Sequence, residues 1–268
     1  MTQLATRSDQ GGRTARAGLR PAPGRSRPVA ALADPRVRLG AGTAVMLVTA
    51  WAARRDGIGP AEATAFRAVN GLSDSIHLPA WAIMQLGTFG AAPVAAGLAW
   101  LAGDRQLAGQ LLVAGTGTWA LAKLVKQVVR RPRPGALLPG IRCRGRPAAG
   151  LGYLSGHAGV AAALGAAAFP RLGRGGRALV LIAVPVVGLT RIYTGAHLPL
   201  DIAGGVAFGL AVEAAVTLVT GRQRARPRPA QADGLVAAAI GQVPGLVCTT
   251  VPSTSVRSTS ASAISAAG

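Results

Sequence analysis

The stretch Thr190–Gly205, TRIYTGAHLPLDIAGG, places an arginine, a histidine and an aspartate between two apolar runs, Ala178–Tyr193 and Leu198–Val219. Ionisable groups are expensive in hydrocarbon and persist there where they face protein, water or a substrate. Both the fold and the chemistry of the chain turn on how these three residues are accommodated.

Outward from this stretch, the chain is apolar throughout its middle. Half of its 268 residues are hydrophobic, and the mean hydropathy is +0.38. With a window of about 19 residues, six apolar segments emerge: Val37–Ala53, Pro79–Ala102, Gln106–Val125, His157–Phe169, Ala178–Tyr193 and Leu198–Val219. Two of them are short against the roughly 20 residues that cross a bilayer core as a helix. They are built on Ala, Gly, Val and Leu, and small residues let neighbouring helices approach closely in lipid. The expected fold is all-α, a bundle of six transmembrane helices over residues 36–221, flanked by basic tails at 1–35 and 222–268 too polar to fold on their own.

A net charge of +20 would point to nucleic acid in a soluble protein. Here the charge falls in the N-terminal tail (Arg7 to Arg27), the turn Arg171–Arg177 and the tail Arg222–Arg228. All three lie on one side when six helices are threaded. That is the pattern that orients membrane proteins with positive loops in the cytoplasm, so both termini are expected there, in a multi-pass protein of the cell membrane. Nucleic acid is not an expected partner. Cys143 falls in an outer loop and Cys248 in the cytoplasmic tail, so no disulfide is expected between them. Between the first two spans, Pro60–Ile76 reads as an amphipathic helix lying at the outer interface, with Ala61, Phe66, Val69 and Leu72 on its apolar face.

One basic cluster breaks the charge pattern, because Lys126, Arg130, Arg131, Arg133, Arg142, Arg144 and Arg146 fall on the outer side. Its core, KQVVRRPRP at Lys126–Pro134, ends the third span, where a helix C-terminus favours cations. A second cluster, LSGH at Leu154–His157, opens the fourth span. Ser155 suits an N-cap, and Gly156 lets an anion approach unpaired backbone N–H groups. The third is the opening stretch, where His197 and Asp201 stand four residues apart and meet on one face if the turn is helical. Taken singly, each has an ordinary reading: a snorkelling basic flank, a capped helix, a satisfied His–Asp pair.

All three lie at the same edge of the expected bundle. Together they offer two imidazoles, a carboxylate, several cations and a helix N-terminus. That set suits in-line attack on a phosphoryl group, with one imidazole as nucleophile, the other as proton donor to the leaving oxygen, and cations stabilising the equatorial oxygens. No metal or other cofactor is needed.

These residues resemble the signature of the type 2 phosphatidic acid phosphatase (PAP2) and vanadium haloperoxidase superfamily, K-x6-R-P, P-S-G-H and S-R-x5-H-x3-D. Lys126, Arg133 and Pro134 match the first motif. Ser155, Gly156 and His157 match the second, with Leu154 in place of proline. Arg191, His197 and Asp201 match the third, with Thr190 in place of serine. The resemblance implies that His197 is a nucleophile forming a phosphohistidine, His157 the general acid and Asp201 the orienter of His197. It assigns Lys126, Arg133, Ser155, Gly156 and Arg191 to phosphate binding. The expected function is hydrolysis of a lipid phosphomonoester or pyrophosphate at the extracytoplasmic face, with isoprenyl pyrophosphate, isoprenyl phosphosugar, phosphatidate and phosphatidylglycerophosphate all fitting. Two other readings remain: a vanadate-dependent haloperoxidase, in which vanadate mimics phosphate, and a non-catalytic lipid-binding membrane protein. Glu213, inside the sixth span, is expected to meet a partner on a neighbouring helix.

Overall fold

A computed structural model describes residues 34–55, 57–145 and 150–220. The expectations for the two tails, for Arg146 and for Cys248 lie outside the described residues. Within them the chain is helical. In order, the helices are α1 Pro35–Ala53, α2 Pro60–Asn70, α3 His77–Met84, α4 Ala91–Leu101, α5 Arg105–Val129, α6 Pro134–Leu137, α7 Gly156–Ala168, α8 Arg174–Tyr193 and α9 Pro199–Val219. Proline opens α1, α2, α6 and α9, a position where its missing N–H costs nothing. Side chains of Asp34, Asp104 and Ser155 cap the starts of α1, α5 and α7.

By length and composition, α8 and α9 can each cross a membrane, with mean hydropathies of 1.6 and 2.0. The second expected span, Pro79–Ala102, is not one continuous helix. It is interrupted at Gln85–Gly90, and its two halves are bent by 69° to form a broken span or a re-entrant loop. Gly87 and Gly90 weaken the helix there. Helix α7, at 13 residues, is about 20 Å long and too short to cross. Most of its side chains are buried, as expected of a helix that is apolar all round and surrounded by others. The six apolar segments are therefore helical, the second of them broken and the fourth short.

Close approach of small residues governs the packing. Helix α1 lies along α9, with Gly42 set directly against the Ala207 carbonyl and Ala211. Helix α7 sits on α9 through Gly159, Gly205 and Gly209, and at Gly205 and Gly209 a Cβ would overlap the backbone of α7 or its cap. An alanine-rich core, Ala92, Ala96, Ala108, Leu111, Val160 and Leu164, joins α4, α5 and α7. Large apolar side chains such as Leu47, Trp51, Val94, Trp100, Leu124 and Leu181 point outward, as suits a membrane protein whose solvent is lipid.

The polar ends of the bundle differ. At one end, Glu213 is buried and accepts from Arg38 Nη2 (2.9 Å), Gln110 Nε2 (3.0 Å) and the Thr217 hydroxyl (2.7 Å). Arg171 bridges nearby to Asp104 at 2.8 Å. The expected neighbouring-helix partner of Glu213 is thus on α1. At the other end, about 18 Å away along α9, the termini of α5, α7, α8 and α9 converge.

Helix α2 covers this second end and differs from expectation. Its inward face is Glu62, Ala63, Phe66, Val69 and Asn70, while Ala61 and Leu72 are exposed. Phe66 is fully buried with Leu138, Ile192 and Leu198. Asn70 donates to the carbonyls of Arg142 (2.9 Å) and Tyr193 (3.0 Å) and accepts from the Arg142 N–H (2.9 Å). The helix is turned by polar contacts that a count of apolar positions does not register.

Candidate active site

The three sequence clusters are joined by direct hydrogen bonds. Lys126 Nζ donates to the carbonyls of Gly152 (3.0 Å) and Leu151 (3.3 Å), linking the end of α5 to the loop before α7. Arg133 Nη1 donates to the Ala196 carbonyl at 2.8 Å, linking the same loop to the turn before His197. The Ser155 N–H donates to the Asp201 carbonyl at 2.9 Å, tying the start of α7 to the start of α9.

Local sequence explains how each junction is shaped. Helix α5 ends at Arg130, which takes a left-handed conformation (φ 55°) and sends the chain away after Val129. Pro132 and Pro134 then prevent the helix from resuming. Ser155 caps α7 by accepting from the Ala158 N–H, so that Gly156 and His157 occupy the first turn. Leu154, which replaces the motif proline, is fully buried among Ala53, Ala122, Val129, Tyr153 and Phe208. Packing fixes the turn that a proline ring would otherwise stiffen. Gly195, at φ +74°, reverses the chain between α8 and α9, and its missing Cβ admits the Arg142 carbonyl.

His197 is 3% exposed and faces Asp201, its Nδ1 lying 3.5 Å from Oδ2. No nearer partner satisfies that nitrogen. Burial is the chief influence on the imidazole and pushes its pKa down to about 4, outweighing the pull of Asp201 in the other direction. The ring is therefore neutral at pH 7, the state in which a histidine has a lone pair to offer. Asp201 is fully buried. Its Oδ2 accepts from the Leu198 N–H at 2.8 Å, and its Oδ1 accepts from Arg131 Nη1 at 2.9 Å.

Lys126, Arg133, Arg191 and His197 all act electrostatically on His157, so the residues expected at the site surround one region. Arg191 reaches back to Met84 Sδ at 2.7 Å, and its buried Nε has no hydrogen-bond partner. Burial lowers the pKa of Arg133, against the attraction of Asp201. The Thr190 hydroxyl, in place of the motif serine, donates to the Val187 carbonyl at 2.7 Å and is spent within α8. A cavity of about 190 Å³ opens beside Arg191 between His77, Trp81 and Ala196. Another, of about 540 Å³, opens beside Arg133 between Pro132, Ala136 and Leu151.

Two residues of this region carry no signal in the sequence. Arg131 is 3% exposed and bridges two carboxylates, Asp201 and Glu62. Within KQVVRRPRP it is one basic residue among four, and nothing in its spacing separates it from the exposed Arg130. Glu62 sits in the first turn of α2, where an acidic residue is ordinary.

A family model described as the PAP2 superfamily matches residues 107–225. The decaprenylphosphoryl-5-phosphoribose phosphatases of two Mycobacterium tuberculosis strains, CDC 1551 / Oshkosh and ATCC 25618 / H37Rv, are each 43% identical to this chain over 124 residues. That stretch is 44% of this chain and 66% of the length of those relatives. Among solved structures, Aquifex aeolicus LpxE superposes with a TM-score of 0.55 at 19% identity, over 61% of this chain and 98% of that one. The first transmembrane PAP2 type phosphatidylglycerolphosphate phosphatase from Bacillus subtilis superposes with a TM-score of 0.52 at 20% identity, over 70% and 98%. The residues matched by the PAP2 superfamily model hold all three junctions, from Lys126 to Asp201, and the helical fold is similar to that of the two solved structures.

Proposed function

We propose that this chain is an integral membrane phosphatase that removes a phosphate from a lipid headgroup through a phosphohistidine on His197. The observation that carries the reading is the convergence of α5, α7, α8 and α9 on a buried, neutral His197 backed by Asp201. In the first step His197 Nε2 attacks phosphorus in line with the leaving oxygen. The P–O bond breaks as the P–N bond forms, and His157, once the bound phosphate offsets the burial and neighbouring cations that push its pKa down to about 3, gives its proton to the departing alkoxide or phosphate. Nδ1–H points to Asp201, which stabilises the charge that the ring acquires. Lys126, Arg133, Arg191 and the first turn of α7 spread the charge of the equatorial oxygens. In the second step His157, now basic, takes a proton from water, whose oxygen attacks phosphorus and frees His197.

The site lies at an edge of the bundle, so a lipid tail can stay among the exposed apolar side chains while its phosphate enters. The charge pattern of the sequence favours placing this edge outside the cytoplasm. A polyprenyl-linked phosphosugar is the substrate we favour, because the relatives that are 43% identical over 124 residues carry that chemistry in their names. The test is phosphate release by the detergent-solubilised protein from a polyprenyl phosphosugar, a polyprenyl pyrophosphate, phosphatidate and phosphatidylglycerophosphate. Release by the wild type and its loss in His197→Ala are expected; no turnover of any of the four, or an equally active variant, sinks the reading.

A further inference from the structure

We propose that Glu62, on the peripheral helix α2, is a positioning residue for the His197–Asp201 pair and acts through Arg131. The inference rests on the reading of His197 as nucleophile. Glu62 precedes the residues that match the family model, 107–225, so the contact adds to the matched site a part from outside it.

The contact is a buried fork. Arg131 Nη1 and Nη2 donate to Glu62 Oε1 and Oε2 at 3.0 and 2.6 Å, and the same Nη1 donates to Asp201 Oδ1 at 2.9 Å. Arg131 and Asp201 side chains are 2% and 0% exposed, and that of Glu62 is 9% exposed. A planar guanidinium held in two-point contact with one carboxylate has a fixed orientation. Its remaining contact with Asp201 is then fixed too. Glu62 Oε1 also accepts from the Leu200 N–H at 3.0 Å, one of the unpaired donors in the first turn of α9. Glu62 therefore holds both Arg131 and the turn from which Asp201 projects.

Geometry follows from this arrangement. With Oδ1 engaged by Arg131 and Oδ2 by the Leu198 N–H, the Asp201 carboxylate cannot rotate. The edge it shows His197 is set before any substrate binds. Charge follows as well. Two carboxylates around one guanidinium leave a net negative charge behind His197, which favours the cationic ring of the phosphohistidine. The other charges facing the ring are cations, Lys126 on α5 and Arg191 on α8, with His157 on α7 coupled to it. Removing Glu62 would leave Arg131 to cancel Asp201.

Neutralising Glu62 should therefore slow chemistry without weakening substrate binding, and should disfavour the imidazolium of His197. The test uses the full chain in detergent. Wild type and Glu62→Gln are compared by kcat and KM for phosphate release, and by ¹⁵N NMR titration of histidine, with the His197 signal assigned from its absence in His197→Ala. In Glu62→Gln, a fall in kcat of about tenfold with KM within about twofold is expected, and the His197 midpoint moves down by about 1 pH unit. Glu62→Asp, which retains the charge, is expected to keep the wild-type midpoint. Wild-type kcat and midpoint in Glu62→Gln would overturn the proposal, as would a loss of kcat that leaves the midpoint unmoved. If Glu62→Gln does not fold, Arg131→Lys takes its place: it keeps a cation beside Asp201 but cannot fork, and an undiminished kcat in it would overturn the proposal. A wild type that turns over no substrate refutes the phosphatase reading alone, because the histidine titration still decides whether Glu62 acts on His197.

Discussion

Gly87 rests on the backbone of His157. A Cβ at Gly87 would overlap the His157 carbonyl and stand 3.0 Å from its Cα, so the break in the second apolar segment is packed against the first turn of α7. The 69° bend thus has a structural counterpart: it brings bare backbone to His157. Gly87→Val is expected to push α7 outward at its start. On the proposed chemistry, kcat falls by about a hundredfold from a displacement near 1 Å, while the protein still folds in detergent. Phosphate release and thermal unfolding measured on the same preparation check this.

The α7–α9 contact makes a related prediction about stability. A Cβ on Gly205 would overlap the Ser155 carbonyl, and one on Gly209 the Gly159 carbonyl. Both obstacles are backbone, which cannot rotate aside as a side chain would. Gly209→Ala should cost about 1–3 kcal/mol, the usual penalty of overpacking a close contact, and lower the unfolding temperature in detergent. Gly40→Ala, where nothing lies within 4 Å, should leave that temperature unchanged or raise it.

These contacts show what could be read from the sequence and what could not. The helical segments, their ends and the residues of the three clusters were legible, because proline, N-caps and motif spacing act over a few residues. The bend at Gly87 was not, since Gly87 is defined by His157, a residue 70 positions away. Glu62 and Arg131 were missed for the same reason: their bond spans 69 positions, and a charged residue on an amphipathic helix reads as a solvent-facing one. On α2 the spacing predicts Phe66 and Val69 on the inward face, where they lie, but puts Ala61 and Leu72 beside them in place of Glu62 and Asn70, which are oriented by hydrogen bonds that hydrophobic spacing does not register. The polar position of Glu213 was legible, though its partner Arg38 was not.

Glu213 and Arg38 form an ion pair at 2.9 Å, with side chains 2% and 18% exposed. Glu213 also takes hydrogen bonds from Gln110 and Thr217, joining α1, α5 and α9 at the end away from His197. Glu213→Ala leaves a guanidinium and an amide to find new partners. Breaking a fully buried pair this way costs about 3–5 kcal/mol, and the partial exposure of Arg38 places the expected loss toward the lower value. The specific activity of the folded fraction should not change, because about 18 Å of helix separates Glu213 from Asp201. A lower unfolding temperature with unaltered kcat confirms the division; a kcat that falls at temperatures where the variant is fully folded contradicts it.

The depressed pKa of His197 makes the last prediction, which concerns acid. Burial holds the folded-state value at about 4, below the roughly 6.5 of an exposed imidazole. Between these values the unfolded chain binds a proton that the folded chain does not. The stability contributed by neutral His197 is therefore complete above about pH 6.5 and is lost as pH falls through 4. Over the same window His197 stays unprotonated, so the nucleophile does not itself set an acid limb near pH 6. Histidine titration by ¹⁵N NMR can follow this directly, because the chain has 3 histidines and His197→Ala identifies the signal. A midpoint near 4 is expected. A midpoint near 6.5 would mean that the pull of Asp201 offsets burial in full, and the predicted loss of stability between pH 6.5 and 4 would not occur.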